Sequence, residues 1–171
     1  MKQSKSQQIK NKARRSLGMK MNQKYGNYVV DTSAIINQFL RKLIHKGLQG
    51  KIMIPNAVMA ELENLANRGN EAGFRGLDEV SNLHQLKKTH NFIIFFEGLR
   101  PTEHQIKFAK SGEIDALIRE IAIKNHAALI TADLVQAKTS QAYNIPVLFM
   151  KPRPIQEKKK KFFFFKFKKR N

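Results

Sequence analysis

The sequence predicts an α/β protein, a three-layer α/β/α sandwich around a central, mainly parallel five-stranded sheet. Three observations predict it. Five short segments rich in Ile, Val and Phe alternate with helical patterns between residues 27 and 150, as repeated strand and helix crossovers require. The segments are apolar at successive positions and not only at alternate ones, the pattern of strands covered on both faces. Two of them, Tyr28-Val29-Val30 and Ala128-Leu129-Ile130, lead into hydroxyl residues and an acid where a strand should stop, reading YVVDTS and ALITAD. In open parallel sheets ligands bind in the crevice outside the carboxyl ends of the strands, so Asp31 and Asp133 are placed to face one site.

The elements follow in order. The first strand is read over 27–30 and a helix over 34–45; KIMI over 51–54 is the second strand. Asn56 is expected to cap a helix over 57–68 that Gly69 stops, and a long helix fills 72–89. FIIFF over 92–96 is the third strand, followed by a helix over 113–125, a fourth strand over 127–131, a helix over 134–143 and PVLFM over 146–150 as the fifth strand. Right-handed crossovers between parallel strands complete the sandwich. No internal repeat is present.

A chain of 171 residues, 42% of them hydrophobic, can bury one sizeable core. It has no cysteine, which removes disulfide scaffolds, zinc ribbons and thiol catalysis and fits a reducing compartment. Its apolar stretches are far short of a membrane span, and its first residues are basic without an apolar core segment, so neither a membrane partner nor a secretory signal is expected. The expectation is a cytoplasmic protein.

The formal charge of +19 lies at the ends of the chain. Residues 1–24 hold eight Lys or Arg and no acid, and residues 151–171 hold ten against Glu157 alone. The stretch between them has fourteen basic residues against twelve acids and is nearly neutral. We therefore read 1–24 as a basic, disordered arm with Met19 and Met21 as later candidate starts, 25–151 as the folded domain, and 152–171 as a basic low-complexity tail. The tail, EKKKKFFFFKFKKRN, reads more like homopolymeric codons than a designed element, although lysines interleaved with aromatics can stack on single-stranded bases. Such arms add salt-sensitive affinity for nucleic acid without defining a binding fold.

Helical wheels weigh the other acids. Val58, Leu62 and Leu65 form the buried stripe of the helix after Asn56, with Glu61 on its edge and Glu63 pointing away. A carboxylate edging into a core needs a partner, because burying it alone is costly or forces protonation. In the helix after Gly112, Ile114, Leu117, Ile118 and Ile121 form the stripe, and Glu113 and Asp115 flank it on opposite sides. Both stabilise the helix dipole, and Asp115 has Arg119 four residues on as an ordinary surface pair, so spacing alone does not choose between them. Asp31 and Asp133 likewise read equally as caps of the following helices.

The segments YVVDTSAII, IMIPNAVMAELENLANRG, GFRGL, RPTEHQIKFAKSGEIDALIRE and ALITADLVQAKTSQAYNIPVLFM together resemble a PIN nuclease domain over residues 27–151. They are most similar to the N-terminal PIN domain of archaeal proteins that carry a P-loop ATPase and a KH domain behind it. The resemblance implies that Asp31, Glu61, Asp115 and Asp133 are the catalytic acids, with Glu113 as an accessory carboxylate. Thr32 or Ser33, together with Thr131, would hold water or orient the acids. Asn37 stands where many relatives have Asp, outside the four-acid set. No Walker motif and no GxxG loop follows, so neither ATP use nor KH-type RNA binding is carried over. A homodimer is within the family's range.

The chemistry so implied is hydrolysis of phosphodiester bonds in single-stranded RNA with Mg²⁺ or Mn²⁺. Converging carboxylates bind such hard cations through oxygen, and two ions about 4 Å apart activate water and stabilise a leaving oxygen. Asp31, Asp115 and Asp133 would be ligands, and Glu61 a ligand or a water-orienting group. Arg68 and Arg75 are candidates to hold phosphate. Rival readings are a non-catalytic RNA-binding module of the same fold, a toxin of a toxin–antitoxin pair, and a receiver domain. The last is suggested by Thr131-Ala132 and Lys151-Pro152 but supplies only Glu97 where its phosphoacceptor should be.

Overall fold

Five strands, β1 (Asn27–Val30), β2 (Gly50–Pro55), β3 (Phe92–Glu97), β4 (Ala128–Thr131) and β5 (Val147–Phe149), form one sheet in the order β3-β2-β1-β4-β5. All neighbouring pairs are parallel. The computed structural model describes residues 25–108 and 112–152. The predicted basic arm and the tail beyond residue 152 lie outside them.

The helices are α1 (Thr32–Ile36), α2 (Phe39–His45), α3 (Asn56–Asn67), α4 (Glu71–Leu86), α5 (Glu103–Phe108), α6 (Glu113–Lys124) and α7 (Leu134–Ala142). The core lies between them and the sheet, with Val29, Val30, Ile52, Ile54, Leu129 and Ile130 from the strands against Leu62, Leu83 and Ile118 from the helices. From β1 the chain winds to β2 and β3, then returns to add β4 on the other side of β1. The winding therefore reverses between β1 and β4, and at such a reversal the connecting segments diverge and leave a crevice at the carboxyl edge. Among the described residues no helix is long and apolar enough to cross a membrane.

The predicted helix over 34–45 is two helices. Gln38 between them has φ 55°, in the left-handed region, and Asn37 closes α1 by donating from Nδ2 to the Ser33 carbonyl at 2.7 Å. An aspartate at 37 has no proton to make this bond. The break lets each short helix bury its own apolar set, Ala34 and Ile35 in α1 and Phe39, Leu40, Leu43 and Ile44 in α2.

Asn56 does not cap α3. It is the first helical residue, and its Nδ2 donates to the Gly98 carbonyl at 2.7 Å, tying the end of β3 to the start of α3. Gly69 does stop α3: at φ 72° it donates to Ala66 O at 2.8 Å, while Asn70 donates to Leu65 O at 3.0 Å, the paired bonds of a Schellman turn. Asn70 then caps α4, accepting from Ala72 N at 2.9 Å. The short α5, absent from the predicted elements, buries none of its residues and so leaves no apolar stripe to read. Its signal is a capping box, in which Thr102 Oγ1 accepts from Gln105 N and Gln105 Oε1 accepts from Thr102 N.

FIIFF was expected to be covered on both faces, but β3 is an edge strand with Ile93, Phe95 and Phe96 each more than two-fifths exposed. Its last residue, Glu97, is held by Lys124 at 2.8 Å and Asn125 at 3.2 Å. A receiver domain, with strand order 2-1-3-4-5, carries its phosphoacceptor at the end of its third strand, which is central and adjoins the first. Glu97 ends a strand separated from β1 by β2, so this topology does not supply one.

The α3–α4 hairpin is packed through glycine. A Cβ at Gly73 would lie 2.3 Å from Ala66 N and 2.7 Å from Leu62 O, both backbone atoms, whereas one at Gly76 would meet the Leu62 Cδ2 side-chain atom at 2.3 Å. Gly73→Ala is expected to destabilise the protein by about 1–3 kcal/mol through overpacking, despite the helix-propensity gain of alanine. Gly76→Ala is expected to lose less because a side chain yields more readily than backbone. Thermal melts followed by circular dichroism measure both, and an unshifted Gly73→Ala melt would contradict the packing.

Candidate functional site

Asp31 follows β1 directly, and its backbone N–H continues the β1–β4 ladder by donating to Ile130 O at 3.0 Å. This places its carboxylate at the winding reversal, 5% exposed. Its Oδ2 accepts from Ser33 Oγ at 2.5 Å and Thr131 Oγ1 at 2.7 Å. Each hydroxyl in turn accepts a backbone N–H, Ser33 from Ala132 at 2.8 Å and Thr131 from Asp133 at 3.0 Å. With their lone pairs so engaged, both hydroxyls are oriented to give their single protons to Asp31. Asp31 makes no side-chain cap to α1.

Asp133, by contrast, is a cap. Its Oδ1 accepts from Val135 N at 2.6 Å and Gln136 N at 3.1 Å at the start of α7, and the side chain remains exposed. Glu61, half-buried on α3, accepts from Thr32 Oγ1 at 2.5 Å. Thr32 and Ser33 thus serve different acids, Glu61 and Asp31.

Asp115 stands half-buried in the first turn of α6. Arg119 does not form the surface pair with it that helical spacing suggests. The guanidinium instead donates to Gln136 Oε1 at 2.7 Å and lies 5.6 Å from the Tyr143 ring centroid. Gln136 is fully buried, and its Nε2 donates to the Asp115 carbonyl at 3.2 Å while its backbone N–H reaches Asp133. It links the helices that carry Asp115 and Asp133. Sequence reasoning missed it because a glutamine in a helix carries no periodic or charge signal of its own.

Asp31, Glu61 and Asp115 each feel the charge of neighbouring acids. Burial raises the Asp31 carboxyl above its ordinary range; hydrogen bonds from Ser33, Thr131 and the Thr32 backbone pull it back, and the charge of Asp133 raises it further. Burial also raises Glu61, with Thr32 opposing and the charges of Asp31 and Asp115 adding. Asp115 is raised by burial, then by Asp31 and Asp133, against a lowering by Arg119. The salt bridges among the described residues are Arg41–Glu79, Arg100–Glu63 and Lys124–Glu97, and none involves these four acids. Carboxylates that raise one another with no salt bridge to a base are the donor type that a hard divalent cation takes; among the described residues, however, no group of three or more His, Cys, Asp or Glu side chains stands close enough to hold one.

The other predicted residues stand apart. Glu113 is exposed and faces a separate cavity with Leu99, Arg100, His104 and Phe108. Arg68 closes α3 seven residues past Glu61, about 10 Å along the helix axis, and Arg75 lies in α4; both are exposed. The structure does not bring any of these three into the acid cluster.

Comparison with known proteins identifies the family. The PIN domain model matches residues 28–142. An uncharacterized KH and PIN-domain containing protein of Methanocaldococcus jannaschii is 39% identical over 123 residues, 71% of this chain and 19% of that protein. The Holliday junction branch migration ATPase PINA of Sulfolobus acidocaldarius is 24% identical over 122 residues, again 71% of this chain and 22% of the relative. The chain thus spans about a fifth of the length of these relatives. A solved domain of a functionally unknown protein from Methanocaldococcus jannaschii superposes with a TM-score of 0.71 at 37% identity, covering 75% of this chain and 93% of that one.

The raised carboxyls set a pH dependence. A carboxyl raised on folding stabilises the native state fully below its unfolded value, near 4, and loses that contribution as pH rises through the folded value. In EDTA, wild type should therefore lose stability relative to Asp31→Asn as pH rises through this window. With Mn²⁺ in excess the order should reverse at neutral pH, because cations bind the deprotonated form. Paired melting curves of the two proteins across pH check this, and a wild-type advantage that grows with pH in EDTA contradicts it.

Proposed function

The chain belongs to the PIN domain family, whose members are generally nucleases, and on that premise we propose that it is a metal-dependent endoribonuclease acting on single-stranded RNA. What supports this reading is that Asp31 stands at the winding reversal and that the charges of Asp31, Asp115 and Asp133 reach one another and Glu61, with no salt bridge from these acids to a basic side chain among the described residues. In this reading Asp31, Asp115 and Asp133 hold Mg²⁺ or Mn²⁺. Bound there, a divalent ion supplies positive charge for the phosphate and lowers the pKa of water.

The chain's own residues do the positioning. Ser33 and Thr131 fix one oxygen of Asp31, the two N–H groups at the start of α7 fix one of Asp133, and Thr32 fixes one of Glu61. Glu61 Oε1 is left to orient an attacking water and accept its proton, a role that its raised pKa favours. Gln136 keeps α6 and α7 in register so that Asp115 and Asp133 face the same phosphate.

Asp31→Asn and Asp133→Asn are each expected to lower Mn²⁺-dependent cleavage of labelled single-stranded RNA by about a hundredfold or more. Asparagine is as good a cap as aspartate, so Asp133→Asn removes charge while keeping the start of α7. Gel analysis of purified protein with RNA and single-stranded DNA, with and without EDTA, is the measurement. The Sulfolobus relative is named for Holliday junction branch migration, so branched DNA belongs in the panel. Protein that binds varied RNAs but leaves them intact in Mn²⁺ is a binding module and not an enzyme.

A further inference from the structure

We propose that the cavity on the other side of α6 from Asp115 is a nucleobase pocket, in which an unpaired guanine packs against the His104–Phe108 ring pair, parallel to one of the two rings, and donates its N1–H and N2–H to the Glu113 carboxylate. The proposal rests on the nuclease reading for its ligand, single-stranded RNA. The cavity has a volume of about 490 Å³, within the range of small-molecule sites. Its apolar lining includes Leu99, Ile114 and Leu117. The His104 and Phe108 rings lie 4.5 Å apart, tilted by 43°, and both side chains are exposed.

The polar groups select the occupant. Gln105 also lines the cavity, but its carbonyl oxygen is engaged by Thr102 in the capping box of α5. Glu113 enters no side-chain hydrogen bond or ion pair with another described residue, so it is the carboxylate available to a ligand. A carboxylate accepts and does not donate. It repels a phosphate and favours a base edge with two adjacent donors, which guanine presents. Adenine and cytosine offer one amino group beside a ring acceptor, and uracil one N–H between carbonyls. Two cations are available for the flanking phosphates: Arg100, which lines the cavity and is held by Glu63, and Lys107, whose Nζ is 5.5 Å from the Phe108 ring centroid.

Placement makes the pocket useful to the acid cluster. Glu113 and Asp115 occupy the same first turn of α6 on opposite sides. A helix with its side chains is about 10 Å across, so a short stretch of single strand passing over this turn reaches both. The pocket would then set which nucleotide lies beside the bond that is cut.

Fluorescence anisotropy of the full chain in EDTA, with labelled oligouridylate carrying or lacking one central guanosine, tests this. The guanosine oligomer is expected to bind about tenfold tighter. Glu113→Gln should abolish that difference, and Phe108→Ala, at an exposed position, should weaken the guanosine oligomer about tenfold through lost stacking; His104→Ala is the second stacking variant. Equal wild-type affinities overturn the proposal. So does a Phe108→Ala protein that changes oligomeric state while binding RNA normally. Guanosine preference without Mn²⁺-dependent cleavage would support the pocket and remove the nuclease reading; cleavage with no guanosine preference would do the opposite.

Discussion

The hydrogen bonds from Ser33 and Thr131 to Asp31 Oδ2 are the interaction around which the rest of the site is arranged. They join the residue after β1 to the end of β4, the two strands between which the winding reverses. A buried carboxylate without donors costs several kcal/mol or takes up a proton. Here the two donors are themselves held by the backbone N–H groups of Ala132 and Asp133. The loop after β4 therefore cannot shift without releasing Asp31, and the position of Asp133 follows from the solvation of Asp31.

The other two acids depend on different contacts. Glu61 lies one turn into α3, whose angle is set by close glycine packing against α4 at Gly73 and Gly76 and by the tie from Asn56 to Gly98. Behind that hairpin the buried Glu79 accepts from both the Arg41 backbone and its guanidinium, anchoring α4 to α2. Asp115 depends on Gln136. The site is thus assembled from the ends of two neighbouring strands and from two helices, each fixed by a bond that the neighbouring element supplies.

This division explains what was legible in the sequence. Strands covered on both faces announce themselves as apolar runs, and β1 and β4, the two that carry the site, were read to within a residue. Glu61 was visible because a carboxylate on the edge of an apolar stripe contradicts its surroundings. Asp115 and Glu113 could not be separated by spacing, since residues two apart in a first turn differ only in what packs beside them, and that is decided by α5 and α7. The break at Gln38 and the linking role of Gln136 leave no periodic trace: the first is a single left-handed residue closed by local bonds, and the second serves partners distant in sequence. The edge character of β3 was hidden because apolar composition records what a strand can bury, not its place in the sheet order.

Orientation of the hydroxyls and of the α7 cap has a further consequence for ion choice. Asp31 spends Oδ2 on Ser33 and Thr131, Asp133 spends Oδ1 on the start of α7, and Glu61 spends Oε2 on Thr32. Asp31 and Asp133 consequently each offer a cation a single free oxygen, while Glu61 keeps one oxygen free and the other half engaged. Calcium fills a large coordination sphere of six to eight oxygens, often with bidentate carboxylates, whereas magnesium keeps several waters and needs only one or two carboxylate oxygens. Under the proposed function, the same bonds that keep Asp31 soluble in the core also act as a filter on denticity, excluding larger ions by withholding the second oxygen.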